Sequence, residues 1–112
     1  MAETIHQEVR DAYGAIAYVG RPFHETHPNR LLAVAQLHGV APPKRETISV
    51  LEIGCGDGAN LVPMAASYPR GHFVGIDLSE RLMASARTLA DGAGVPNVML
   101  LQGDVGTLPA RV

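Results

Sequence analysis

Tryptophan is absent from the 112 residues, cysteine and lysine occur once each, and the aromatics are limited to two phenylalanines and three tyrosines. The single cysteine, Cys55, excludes an internal disulfide and any multi-cysteine metal knuckle. Nine basic residues, of which only Lys44 is lysine, are spread among eleven acidic ones for a net charge of −2. The clustered Lys and Arg footprint of a nucleic-acid partner is therefore missing. No apolar run approaches the roughly 20 residues needed to span a bilayer, so no membrane partner is expected. Met1 to Arg10 lacks an apolar core or small-residue cleavage site, which points to the cytoplasm as the compartment. What remains is a chain with 46% hydrophobic residues, long enough for one small core that buries roughly two-thirds of the unfolded surface.

The pattern along the chain alternates helix and strand. A short helix is expected near residues 6 to 12, followed by a loop. From Pro28 the apolar residues Leu31, Leu32, Val34, Ala35 and Leu37 fall at helical spacing. Pro28 suits a first turn and Gly39 a C-cap. Residues 41–47 form a polar, proline-stiffened connector. Ile48, Val50, Leu51 and Ile53 make a β-branched run that predicts a strand buried on both faces. A helix is expected from about Ala59 to Tyr68, with Pro63 tolerated in its first turn. Phe73 to Ile76 reads as a second strand. Ser79 caps a helix with the apolar face Leu82, Met83, Ala86, Leu89 and Ala90, ended by Gly92 and Gly94, and Val98 to Leu101 is the third strand. Strands and helices in this order imply parallel βαβ units and one open α/β sheet.

The residues that carry chemistry cluster at the strand ends. Gly54, Gly56 and Gly58 alternate in Val50-Leu51-Glu52-Ile53-Gly54-Cys55-Gly56-Asp57-Gly58, where ligands of open α/β sheets bind and where a missing Cβ lets the backbone approach them. A tight turn with no ligand is the bland alternative. Gly54-x-Gly56-x-x-Ala59 followed by Asp77 also satisfies the looser dinucleotide fingerprint, which keeps a nicotinamide-dependent oxidoreductase half-domain open. Against it stands Glu52 beside the loop, unwelcome near a pyrophosphate but suited to a ligand bearing ammonium and sulfonium charges. With Asp77 and Asp104, three consecutive strands each present an acid at the carboxyl end.

These stretches, with Phe73-Val74-Gly75-Ile76-Asp77-Leu78-Ser79 and Gly103-Asp104, resemble the first three binding motifs of the class I S-adenosylmethionine-dependent methyltransferases. The resemblance implies a Rossmann-like open parallel sheet, the N-terminal half of that fold, preceded by a helical segment. Residues 1–46 would form the N-terminal cap segment and 47–112 the partial cofactor-binding domain. It further implies that Gly54, Cys55, Gly56 and Gly58 form the loop against the methionine and ribose portions of S-adenosyl-L-methionine, and that Glu52 helps hold the amino-acid end. Asp77 would accept both ribose hydroxyls, with Leu78 beside the adenine. Asp104 would receive the adenine amino group, and Val105 would lie at the ring edge. Pro22 to Pro28 with Leu31, and Asn60-Leu61-Val62-Pro63-Met64-Ala65, resemble the bacterial members whose catalytic domain is followed by a methyltransferase regulatory domain, some of which methylate protein lysines. Against that pattern the chain ends before the fourth strand and the substrate-side motif. No catalytic residue is assigned, and the expectation is a piece of a longer polypeptide or a chain that associates with another copy. A non-catalytic cofactor-binding fragment is the remaining alternative.

Cys55 sits between glycines, where a small side chain suits the turn better than it suits a nucleophile, because no histidine is placed to activate it. His24, Glu25 and His27 fall one residue short of a zinc-binding spacing and lack a third ligand. Their loop is expected either to fold over the cofactor or to be ordinary surface. Tyr13 and Tyr18 divide between core packing and lining the active site.

Overall fold

The computed structural model describes residues 2–15 and 19–108. Helix α1 spans Ala2–Ala15 and α2 Pro28–Leu37; strand β1 spans Ser49–Ile53, helix α3 Leu61–Ser67, β2 His72–Asp77, α4 Glu80–Gly92 and β3 Val98–Gln102. Single 3-10 turns occupy His24–Thr26, Arg45–Thr47 and Val105–Thr107. The expected alternation is present, with α1 extending beyond residues 6 to 12 at both ends and α3 starting at Leu61, two residues later than expected.

The three strands form one parallel sheet in the order β1-β2-β3, with Val50 opposite Phe73 and Phe73 opposite Val98. Period-two alternation then sorts the side chains. Phe73 faces α3 and α4 with the fully buried Leu61, Ala65, Met83 and Ala86. Gly75 belongs to the same face, where a Cβ would lie 2.7 Å from Leu61 Cδ2 and 2.8 Å from Cys55 Sγ, so the close approach of α3 requires its absence. Ser79 caps α4, its hydroxyl oxygen accepting from Leu82 N at 3.2 Å. The apolar face of α4 is as expected except for Leu89, which is exposed.

The prediction that β1 is buried on both faces is not met. Leu51 and Ile53 are 54% and 59% exposed, because β1 is an edge strand paired only with β2, whereas their partners on the central strand, Val74 and Ile76, are buried. Met99, in register with Val74 and through it with Leu51, is exposed on the same face.

The base of the sheet is tied by Asn97, whose Nδ2 lies 3.1, 2.8 and 3.2 Å from the carbonyl oxygens of Ala65, Tyr68 and Gly71. One amide group thus adds a side-chain donor to carbonyls at the end of α3 and in the turn that leads into β2. Helix α2 is fixed to the same corner by Tyr68, whose hydroxyl lies 2.6 Å from Asn29 Oδ1 and whose ring meets that of His27 at 5.8 Å.

Candidate functional site

Among the described residues two hollows are candidates. The larger, about 470 Å³, is lined by His27, Asn29, Arg45, Glu46, Tyr68 and Arg70 and lies before the amino ends of β1 and β2. The other, about 370 Å³, lies at the carboxyl ends of all three strands and is lined by Gly54 and Gly56 after β1, Asp77 and Leu78 at the end of β2, and Gly103, Asp104 and Val105 after β3. Parallel α/β sheets place their ligands at the carboxyl ends, and the volume falls in the range of small-molecule sites. The second hollow is therefore the candidate site.

Its floor is built by the turn from β1 into α3. Gly54, Gly56 and Gly58 all have positive φ, at 74°, 58° and 79°, a conformation that disfavours any Cβ. Their surroundings differ. A Cβ on Gly54 would meet no protein atom within 4 Å, so that edge of the cavity is room a side chain would take up, whereas one on Gly58 would press on Ala86 Cβ and Val62 Cγ2 at 3.1 Å. Gly58 thus serves the packing of the loop on α4 and does not line the cavity.

Asp77 fixes the middle of the site. Its Oδ2 accepts from Gly56 N at 2.9 Å and its Oδ1 from Ser79 N at 2.9 Å, so the carboxylate joins the glycine turn to the start of α4. Each oxygen retains acceptor capacity. Asp104 is held by Gly106 N on Oδ1 at 2.8 Å and faces His6 Nδ1 from Oδ2, also at 2.8 Å. Helix α1 therefore reaches the far wall, where Val9 joins the lining.

Glu52 is not part of the lining. It sits at the end of β1 with Oε1 accepting from Asn60 Nδ2 at 2.9 Å, while Oε2 is buried with no hydrogen-bond partner. Burial pushes its carboxyl above the usual range, an effect opposed by the Asn60 hydrogen bond. An orphaned, desolvated carboxylate oxygen favours an incoming cation.

Cys55 does not line the cavity. Its thiol turns into the core, 3.8 Å from Met83 Sδ, and burial, followed by the nearby charges of Asp77, Glu52 and Asp57, pushes it up to about 12. A neutral, buried thiol is a poor nucleophile.

Of the residues expected at the site, Gly54, Gly56, Asp77, Leu78, Asp104 and Val105 line one cavity, whereas Glu52, Cys55 and Gly58 lie outside its lining. His6 and Val9, which no local pattern connects to a loop about a hundred residues away, and the apolar residues Ile53, Ile76 and Leu82 join the site without having been expected there. The segment before α2 is docked on the glycine turn: Gly20 N donates to Asp57 Oδ2 and Phe23 N to Asn60 Oδ1. His24 pairs with Glu25 at 3.3 Å on the surface, while His27 Nδ1 accepts from Asn29 N. Among the described residues no three such side chains are grouped to hold a metal, and no helix is long and apolar enough to cross a membrane. Tyr18 and the side chain of Tyr13 lie outside the described residues.

The chain is similar to known proteins. PKMT2 from Rickettsia typhi, solved in complex with AdoHcy, superposes with a TM-score of 0.79 and 34% identity, over 83% of this chain and 18% of that one. An uncharacterized protein of Rickettsia prowazekii is 37% identical over 86 residues, 77% of this chain and 16% of the relative. A tRNA (guanine-N(7)-)-methyltransferase of Shewanella woodyi is 40% identical over 60 residues, 54% of this chain and 25% of the enzyme. The chain spans less than a fifth of the length of the two rickettsial proteins. Residues 50–112, from β1 through the glycine turn and the three acids, match the family described as a methyltransferase domain. With its glycine turn, its parallel Rossmann-like sheet and more than half of its length inside that match, the chain belongs to the methyltransferase domain family.

Proposed function

We propose that this chain supplies the S-adenosyl-L-methionine-binding half of a methyltransferase. The observation that carries the reading is the convergence of the Gly54–Gly56 turn, Asp77 and Asp104 on one cavity. The residues fit such a group. Asp77 has spare acceptor capacity for two ribose hydroxyls, Leu78 and Val105 offer apolar contact to the adenine, and Asp104 offers an acceptor for its amino group. Gly54 and Gly56 give backbone approach. Glu52 supplies negative charge toward the ammonium end, while Cys55 and Gly58 shape the loop from behind.

When bound, S-adenosyl-L-methionine supplies an electrophilic methyl on a sulfonium centre. The chain's part is proximity, orientation and charge: the carboxylates hold the donor in one pose, and the apolar floor of Ile53, Ile76 and Leu82 keeps water from one side. No residue described here is placed as a base toward an acceptor.

For the acceptor we favour a protein side chain, in keeping with the resemblance of residues 22–28 and 60–65 to a group that includes lysine methylation. RNA is the second reading, favoured by the relative named as a tRNA methyltransferase. Transfer of labelled methyl groups to a cell extract by the complete protein, with the product then digested by protease or by ribonuclease, separates them. The cofactor reading itself is tested by titrating the purified chain with S-adenosylhomocysteine and with NAD. Binding of the first alone is expected, and tighter binding of NAD would overturn the reading in favour of a dinucleotide site. The compartment we propose is the cytoplasm.

A further inference from the structure

Asn60 occupies the N-cap position of α3, where an asparagine normally turns its side chain back onto its own helix, yet it makes no capping bond. The local sequence explains why it is released. Of the two backbone donors that a cap can serve, the third helical residue is Pro63, which has no N–H, and the second, Val62, donates to Gly58 O at 2.9 Å. The amide is left for other partners and takes three. Its oxygen accepts from Phe23 N at 2.7 Å, and its nitrogen donates to Thr26 Oγ1 at 3.1 Å and to Glu52 Oε1 at 2.9 Å. One planar group thus joins the carboxylate at the end of β1 to the segment 20–26, which is separately anchored by Gly20 N on Asp57.

The amide accounts for only one of the two Glu52 oxygens. The other is buried and without a partner, on a carboxylate whose rotamer Asn60 fixes. Resting on the cofactor reading above, we propose that Asn60 is a positioning residue: it holds Glu52 toward the ammonium end of the cofactor and transmits occupancy of that carboxylate to the segment 20–26. A cation bound in the neighbouring cavity polarises this carboxylate, draws charge from Oε1 and so alters the donor side of the Asn60 amide. Because the amide is conjugated, its oxygen, and with it the hydrogen bond from Phe23 N, responds. The segment docked on the glycine turn is then coupled to the amino-acid arm of the ligand and not to the nucleoside.

That distinction supplies the test. The 15N-labelled chain is titrated with S-adenosylhomocysteine and with 5′-methylthioadenosine, which keeps the nucleoside and lacks the amino-acid arm. The first should shift the Phe23 amide and the Asn60 side-chain resonances; the second should shift Gly56 and the residues around Asp77 while leaving Phe23 in place. Asn60→Ala should weaken S-adenosylhomocysteine about tenfold, as expected for a lost hydrogen bond to a charged group, and leave methylthioadenosine within about twofold. Asn60→Asp keeps an acceptor for Phe23 and loses the donor to Glu52, so the Phe23 amide should stay hydrogen-bonded in the free chain and lose its response to ligand. It serves as the second variant if Asn60→Ala does not fold. Equal movement of Phe23 by both nucleosides, or wild-type affinity in a folded Asn60 variant, would overturn the proposal. A wild-type chain that binds neither nucleoside overturns the cofactor reading itself, and the proposal with it.

Discussion

Asp77 is oriented before any ligand arrives, because both of its oxygens accept backbone N–H groups, from Gly56 and from Ser79. Asp77→Ala should therefore weaken S-adenosylhomocysteine by about ten- to a hundredfold, the effect of losing charge-assisted hydrogen bonds, and calorimetry on the variant measures it. Glu52 acts against the stability of the free chain. Burial raises its folded pKa above the unfolded one, so the folded state binds the extra proton, and stability falls as pH rises from the ordinary glutamate value through the raised one. Glu52→Gln should accordingly raise the thermal midpoint at neutral pH, flatten its pH dependence in that window and weaken ligand binding, a combination that melting curves and a titration reveal together. Cys55, pushed up to about 12, should resist alkylation at pH 8 until urea unfolds the chain, as intact mass would report. The acids and glycines of the site were legible in the sequence, because strand ends and turns are local and three acids at three such ends form a readable pattern. The directions of the side chains were not. Whether Cys55 faces ligand or core depends on α4 supplying Met83 behind it, 28 residues further on.

At the scale of elements, the sheet depends on positions where a side chain is missing. Gly75 lets α3 descend onto β2, and a methyl group there meets Leu61 and Cys55 at less than 3 Å. Gly75→Ala is expected to cost about 1–3 kcal/mol by overpacking, read as a lower urea midpoint with an unchanged slope. The strands, α2 and α4 were legible from periodicity and from the Pro28, Gly39 and Ser79 signals, since these act within a turn of the chain. The length of α1 was obscured by Gly14 and by its polar composition, and its contact with Asp104 by a separation that no periodicity spans. The exposure of β1 was misjudged for a related reason. An apolar strand is buried on both faces only if neighbours arrive on both sides, and the run of residues 48–53 is the same with or without them.

As a whole the molecule has one densely covered sheet face and another whose outer strands are exposed. Leu51, Ile53 and Met99 lie exposed on the outer strands of that second face, and β1 presents unpaired backbone groups along one edge. Such an edge recruits partners. The chain should self-associate at micromolar concentration in light scattering, and Leu51→Lys, which places a charge on that face, should shift it toward monomer; a monodisperse wild-type monomer would show that the edge is protected. On the covered side, Asn97 gathers carbonyls from the end of α3 and the approach to β2, contacts that reach back as far as 32 residues from the foot of β3. A knot of that kind leaves no part of the βαβα core free to open on its own. The amides of α3, β2 and β3 should therefore exchange with deuterium as one cooperative unit at the free energy of global unfolding, and those of α1 should exchange long before them.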